Sequence, residues 1–483
     1  MGIELFYRTA SEWAQLIHEK KASAVEAVET YFERIIQFNP RLNAIVTLNE
    51  EDARQRARQA DAALAKGENW GPLHGVPVTI KDAYETAGLR TTSSYKPLAN
   101  YIPERDATVV ARLRGAGVII LGKTNMPMLA LDVQSDSPIF GRANNPWDLT
   151  RTPGGSTGGG AASLAAGLSP LEIGSDLGGS VRIPAHFCGV FSIKPTEHLV
   201  SVAGHIPEPP GAPQGVRHMG CPGPLARSIE DLRLALSLVA GMDGRRWEVP
   251  PVTLSPSEKK PLKDYRFAWT DTFGGVTASQ DTRAVINKLA ADLERAGCRV
   301  EQAAPPEFDF DLAWQLYGEI AGAEIGSGMG TLPRLLTGLQ FRGMVDPSSL
   351  KIGYIRGLRL KMTRYAEALT QRDGLISRLD AFLSQWDAWL CPVTVGPAFA
   401  HCKMGQTIEI DGRSTPYFTA NMSFTAPFNL TGNPVVVLPV GHSTDGLPIG
   451  IQAVGRHWQD MALLATADAL TEVTGAFQAP PGF

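Results

Sequence analysis

Three short stretches carry residues able to do acyl-transfer chemistry. In GSDLGGSVRIP, residues 174–184, Ser180 follows Gly178 and Gly179. Glycines let the backbone turn so that consecutive N–H groups converge on one point, as an oxyanion requires. Asp176 and Arg182 flank this loop and read as a structural ion pair that holds it. In TPGGSTGGG, residues 152–160, Ser156 fits the G-x-S-x-G pattern of a nucleophile elbow, and AASLAAGL supplies a following helix. The preceding NNPWDLTRTP is no strand, so a glycine turn with a serine N-cap accounts for the pattern equally well. His401, His442 and His457 come late enough to complete a Ser-His-Asp esterase set on Ser156, but spacing selects none of them. In GVPVTIKDA, residues 75–83, Lys81 follows an apolar strand. Such a lysine is ordinarily a solvated charge. Burial penalises the ammonium, lowers the pKa and leaves a neutral amine that can serve as a base, which is how Ser–Lys nucleophile arrangements work.

A fourth stretch is a decoy. GVIILGKT, residues 117–124, matches the phosphate-loop pattern G-x-x-x-x-G-K-[ST]. That pattern needs a loop of free N–H groups leading into a helix. Here the intervening Val, Ile, Ile and Leu read as strand, and Asn125-Met126-Pro127 stands where the helix should begin.

The elements that must position these residues follow from periodicity. Residues 10–66 read as helical, with Ser11 and Ser23 as N-caps. From VPVTI at 76–80 onward, strands and helices alternate: VIIL, LEIGSD and GVFSIKP as strands, DATVVARLRGAG and AASLAAGL as helices. Alternation of this kind predicts an α/β fold with a mainly parallel or mixed sheet. Residues 242–264, rich in proline and charge, read as a surface loop. YRFAWT, CRVEQAAP, AWLCPVTV, NPVVVLPV and LPIGIQAVG add strands beyond it, and a long amphipathic helix spans 356–385. Strands on both sides of the loop favour one domain over 1–483. Its parts are N-terminal helices (1–66), a catalytic core (67–240) with its most informative segment at 151–196, and the remaining sheet and pocket helices (265–483).

Bulk properties exclude several classes of function. Forty-five basic against 49 acidic residues leave a net charge of −4, which gives no support to nucleic acid as a partner. Five scattered cysteines form no CxxC pair, so neither a zinc site nor a disulfide framework is expected, and reduced thiols point to the cytoplasm. No leader pattern and no apolar run of spanning length is present.

Taken together, GVPVTIKD, PGGSTGGG and GSDLGGSVRIPAHFCGVFSIKPT resemble the amidase signature family of Ser-Ser-Lys hydrolases. NPRLNAIV, GPLHGVPV, ILGKTNMP, GCPGPLARSIEDL and NLTGNPVVVLPV…DGLPIGIQAVGRH extend the resemblance, in order, over nearly the whole chain. It implies an α/β/α sandwich with a large mixed central sheet covered by helices, and an amidohydrolase that needs no cofactor or metal. It further implies that Ser180 is acylated, that Lys81 is the base, and that Ser156, preceded by a cis peptide bond, bridges them. The N–H groups of Leu177, Gly178, Gly179 and Ser180 would hold the oxyanion. Thr157 stands where the family's commonest motif has a second serine, which puts in doubt how the loop around Ser156 is braced.

The resemblance leaves the amide open and admits a homodimer. One branch of the family supplies ammonia from glutamine inside tRNA-dependent amidotransferases and carries YGRVSRYG-like and SSLDQ-like stretches. The corresponding HLVSVAGHIPEPPGAPQGVRHMGCPGP has neither, so a stand-alone amidase is expected. The pocket should draw on 200–220 and 305–350, with Met128, Trp314, Tyr317 and Phe341 as candidate substrate contacts. Leu316, Met329, Leu335, Leu336 and Met344 belong to the same stretches, and such a lining would suit an apolar or aromatic acyl group.

Overall fold

Eleven short strands join in one sheet because most of them are apolar on both faces and must be covered by helices on each side. The structure, a computed structural model, describes residues 4–206, 210–211 and 214–483. In chain order the strands are β1 (Ile45–Leu48), β2 (Pro77–Lys81), β3 (Ile119–Thr124), β4 (Leu171–Asp176), β5 (Phe191–Lys194) and β6 (Cys221–Ala226). Then come β7 (Arg266–Trp269), β8 (Arg299–Gln302), β9 (Ala388–Pro392), β10 (Val435–His442) and β11 (Pro448–Val454). Across the sheet they run β1-β3-β2-β4-β6-β5-β10-β11-β9-β7-β8. Strand β2 is parallel to both β3 and β4, and β7 is parallel to β8 and β9; the remaining neighbours are antiparallel. The architecture is the α/β fold with a large mixed sheet expected above.

The site is built from β2 and β4. Thr79 pairs with Glu172 and Ile80 with Ile173, so two parallel strands end side by side. Their carboxyl ends bring Lys81 next to Ser175 and Asp176, and ligand sites in parallel α/β sheets form at such ends. Helix Gly158–Ala165 follows Ser156 and Thr157, and helix Arg182–Cys188 follows Ser180. Both helices are buried along their whole length.

The structure departs from the sequence reading in several places. The region 10–66 is not helical throughout, because Ile45–Leu48 leaves the helices to pair with β3 at the sheet's edge. The first helix is capped by Thr9, whose hydroxyl accepts from Glu12 N at 3.1 Å. Ser11 lies inside that helix and donates instead to Asp231 at 2.6 Å. Ser23 does cap its helix, accepting from Glu26 N at 3.0 Å. The long helix starts later than expected, at Met362, and ends at Leu383, with a separate helix Ser349–Gly357 before it. The segment 117–124 is β3 from Ile119 onward, buried at every position, and does not form a phosphate loop.

Candidate active site

Lys81 is fully buried at the end of β2. Its ammonium nitrogen lies 2.7 Å from Ser156 Oγ and 3.0 Å from Ser175 Oγ, with no carboxylate in hydrogen-bonding reach. Burial lowers its pKa from the usual lysine range to about 7, against the weaker upward pull of Asp176 and Glu172. Glu172 is itself pushed up to about 7 by burial and is held by the Thr124 hydroxyl at 2.6 Å. A neutral amine is therefore accessible near pH 7, aimed at one serine.

Ser156 sits on a glycine loop after a cis Gly155–Ser156 peptide bond. The loop's bracing, which the Thr157 substitution put in doubt, comes largely from a residue that motif reasoning missed. Ser135 Oγ donates to Gly154 O and accepts from Gly158 N, each at 3.0 Å. Among the described residues the Thr157 hydroxyl makes only a long 3.5 Å bond to Ser175 O, while its N–H donates to Ser180 O at 3.2 Å. That last bond ties the Ser156 loop to the Ser180 loop. Ser156 and Ser180 face one cavity of about 330 Å³, within the range of small-molecule sites.

The Ser180 loop is organised by a buried ion pair. Arg182 donates through Nη2 and Nε to the two Asp176 oxygens at 2.9 and 3.0 Å, and both side chains are inaccessible. Burial alone would raise the Asp176 pKa, but the Arg182 guanidinium outweighs it and holds the carboxyl well below the usual range. Asp176 Oδ1 also accepts from Gly179 N at 2.8 Å, and Oδ2 from Val181 N at 3.1 Å. This corrects one oxyanion expectation. The Gly179 N–H is committed to a carboxylate, which leaves the N–H groups of Leu177, Gly178 and Ser180 without partners among the described residues.

None of Met128, Trp314, Tyr317 and Phe341 lines this cavity among the described residues. Trp314 is tied to Ser423 O at 3.0 Å, and Phe341 stacks on Tyr354 with ring centroids 4.5 Å apart. Met128 is a surface residue. Tyr317 acts one layer back: its hydroxyl donates to Leu177 O at 3.1 Å and so braces the Ser180 loop. The apolar wall is made instead by Leu129, Leu131, Val200, Val202, Ile325 and Met329. Of the side chains singled out in 305–350, Met329 alone contributes, whereas the stretch 200–220 supplies much of the lining. His205 and Ser175 also face the cavity, and neither was visible as a motif. The three histidines considered for an esterase lie elsewhere. His457 pairs with Asp380, His442 packs at a tilt against Trp147, and His401 does not line the cavity.

Two serines at one largely apolar cavity, a buried lysine behind one of them that can be neutral, and backbone N–H groups without partners among the described residues are together able to do acyl-transfer chemistry. The comparisons place it more narrowly. The Amidase family model matches residues 26–464, and the chain belongs to that family of amide-hydrolysing enzymes. A glutamyl-tRNA(Gln) amidotransferase subunit of Geobacillus stearothermophilus is 32% identical, over 99% of this chain and 100% of that protein. A solved amidase superposes with a TM-score of 0.80 at 28% identity, over 97% of this chain and all of that one. 6-Aminohexanoate cyclic dimer hydrolase, complexed with its substrate, gives 0.80 at 26% identity over 99% of both chains. Among the described residues no helix is long and apolar enough to cross a membrane.

Proposed function

We propose that the chain is a stand-alone amidase that cleaves a small apolar amide through a Ser180 acyl-enzyme. Neutral Lys81 takes the proton of Ser156 as Ser156 takes that of Ser180, and Ser180 Oγ attacks the carbonyl carbon. The N–H groups of Leu177, Gly178 and Ser180 receive the oxyanion. Collapse breaks the C–N bond while the proton returns along the same path to the leaving nitrogen. Water then enters by the reverse relay and releases the acid. The observation that carries this reading is the 2.7 Å contact between a buried, carboxylate-free Lys81 and Ser156, on the cavity that Ser180 shares.

The apolar wall supports an apolar acyl or amine group. The absence of YGRVSRYG-like and SSLDQ-like stretches between Lys194 and Ala226 supports independence from an amidotransferase complex. On this reading the enzyme works in the cytoplasm on small molecules, with nucleic acid no part of its task. A second reading, a glutamine-hydrolysing component of an amidotransferase, is favoured by the full-length match to glutamyl-tRNA(Gln) amidotransferase chains. Hydrolysis of 4-nitroacetanilide and of glutamine by the purified chain separates the two. The proposal expects nitroaniline release well above glutaminase activity. Glutamine turnover that appears only on adding the other amidotransferase components, with no anilide turnover, would overturn it.

A further inference from the structure

The relay just described uses one side of the Lys81 amine and leaves the other unexplained. Ser175 Oγ, 3.0 Å from Lys81 Nζ, is in turn 2.8 Å from His205 Nε2. His205 arrives on a loop fastened to the segment immediately beyond Lys81. Ile206 N donates to Ala83 O at 2.8 Å, and Glu85 N donates to Gly204 O at 2.9 Å. The imidazole packs on the Tyr84 ring with centroids 4.9 Å apart, and the Tyr84 hydroxyl is committed to Gly174 O at 2.8 Å. Imidazole, serine and amine therefore form a fixed row that ends at Ser156.

Counting donors shows what the row does. A neutral amine has two N–H bonds and one lone pair, and it can take a proton from Ser156 only if the lone pair faces Ser156. One N–H must then point to Ser175 Oγ. The Ser175 hydrogen must in turn go elsewhere, and two acceptors face it: His205 Nε2 at 2.8 Å and the oxygen of the Tyr84 hydroxyl, whose own hydrogen is committed to Gly174 O. With the ring proton on Nδ1, which has no protein partner among the described residues, Nε2 accepts and the row is consistent. With the proton on Nε2 the His205–Ser175 bond reverses, and the Ser175 hydrogen is released to the Tyr84 oxygen or to the Lys81 lone pair, where it competes with Ser156. We infer that His205, acting through Ser175, is a positioning residue that aims the Lys81 lone pair at Ser156; this rests on the reading of Lys81 as the base.

The surroundings suit that role. Burial first, and Lys81 second, lower the His205 pKa to about 3, so the ring stays neutral across the working range. The charges that face the row are occupied. Asp176 is paired with Arg182, Glu172 is bonded to Thr124, and Lys123 donates to Tyr84 O and Thr86. His198, His218, Arg217, Arg246, Glu248 and Glu324 line the same cavity, where Arg217 pairs with Glu248 and His218 with Glu324, and none of them is hydrogen-bonded to Ser175 or Lys81.

The test is the rate at which phenylmethanesulfonyl fluoride modifies the protein, followed by intact mass between pH 5.5 and 9. In that reaction the Ser180 Oγ–S bond forms as S–F breaks, fluoride leaves, and the serine proton passes through Ser156 to Lys81. His205→Phe keeps an aromatic ring at this position but removes the acceptor. We expect modification about 10²-fold slower, the scale of a misaimed reacting group. Its acid limb should lie roughly one pH unit lower, the worth of one hydrogen bond. The limb moves down because Ser175 now turns its hydrogen to the amine and stabilises the neutral form. His205→Gln, whose carbonyl accepts, should recover most of the rate and the limb. Ser175→Ala and Ser175→Thr repeat the loss and the recovery independently, with thermal melts confirming folding. A His205→Phe protein with the rate and limb of the wild type, or a Gln variant no better than Phe, overturns the inference. If Lys81→Ala is modified at the wild-type rate, the base assignment fails and this inference with it. If Lys81→Ala is inert while His205→Phe is unimpaired, the inference alone fails.

Discussion

Lys81 ends a buried strand facing two hydroxyls, and an ammonium there has lost its hydration without gaining a carboxylate. The base is consequently available above a pKa of about 7 and withdrawn below it. Acylation rates measured against pH should rise through about pH 7 and level off on the alkaline side. A flat profile between pH 5.5 and 8 would speak against a lysine base. Lys81→Met should reduce acylation by about 10²–10⁴-fold, the usual contribution of a positioned general base. Much at this scale was legible in the sequence, because Lys81, Ser156 and Ser180 each stand in a glycine-rich or strand-end context of their own. Ser175 and His205 were not. Their contact spans 30 residues and depends on a loop returning to Ala83 and Glu85, which no local pattern announces. The commitment of the Gly179 N–H to Asp176 was equally hidden, since the ion pair was foreseen but not its reach into the backbone.

Among the elements, helix Gly158–Ala165 must pack tightly for the Ser156 loop to meet Lys81. A Cβ at Gly159 would come within 2.5 Å of Ala44 O and closer still to Asn125 N, both backbone atoms that cannot move aside alone. Gly159→Ala should therefore destabilise the fold by about 1–3 kcal/mol, the cost of overpacking, measured by denaturant unfolding. An unchanged unfolding midpoint would contradict this packing. Sequence periodicity found most of the sheet but missed two strands, for physical reasons. Ile45–Leu48 is four residues between two strongly helical segments, too short to show a period. Cys221–Ala226 contains Pro222 and Pro224, which argue against a central strand because proline cannot donate to a ladder. It nevertheless lies between β4 and β5, with Pro224 opposite Ile173 and Pro222 opposite Ser175.

At the scale of the whole molecule, Arg182 joins the two halves of the chain. Besides Asp176 it donates to Thr425 O, Gln452 Oε1 and Asn429 Oδ1, and Asn429 Nδ2 returns a bond to Asp176 at 2.8 Å. Elements more than 240 residues apart thus converge under the Ser180 loop. Arg182→Met leaves Asp176 buried and unpaired, and a loss of about 3–5 kcal/mol is expected from thermal or denaturant unfolding. The Asp176 carboxyl titrates below its unfolded value, so its contribution is present above that value and fades as acid protonates the folded state. The apolar cavity wall also belongs to this scale: the stretches 200–220 and 305–350 were foreseen as its sources, but which of their side chains turn inward, together with Leu129 and Leu131, depends on how the segments meet.

The central claim is that Ser180 is the nucleophile and Lys81 its base. Its most direct test is to label the protein with a fluorophosphonate probe and locate the adduct by peptide mass mapping, in wild type and in Lys81→Ala. A single adduct on Ser180 is expected, with a rate of formation that collapses in the lysine variant. An adduct on Ser156, or labelling indifferent to Lys81, would contradict it.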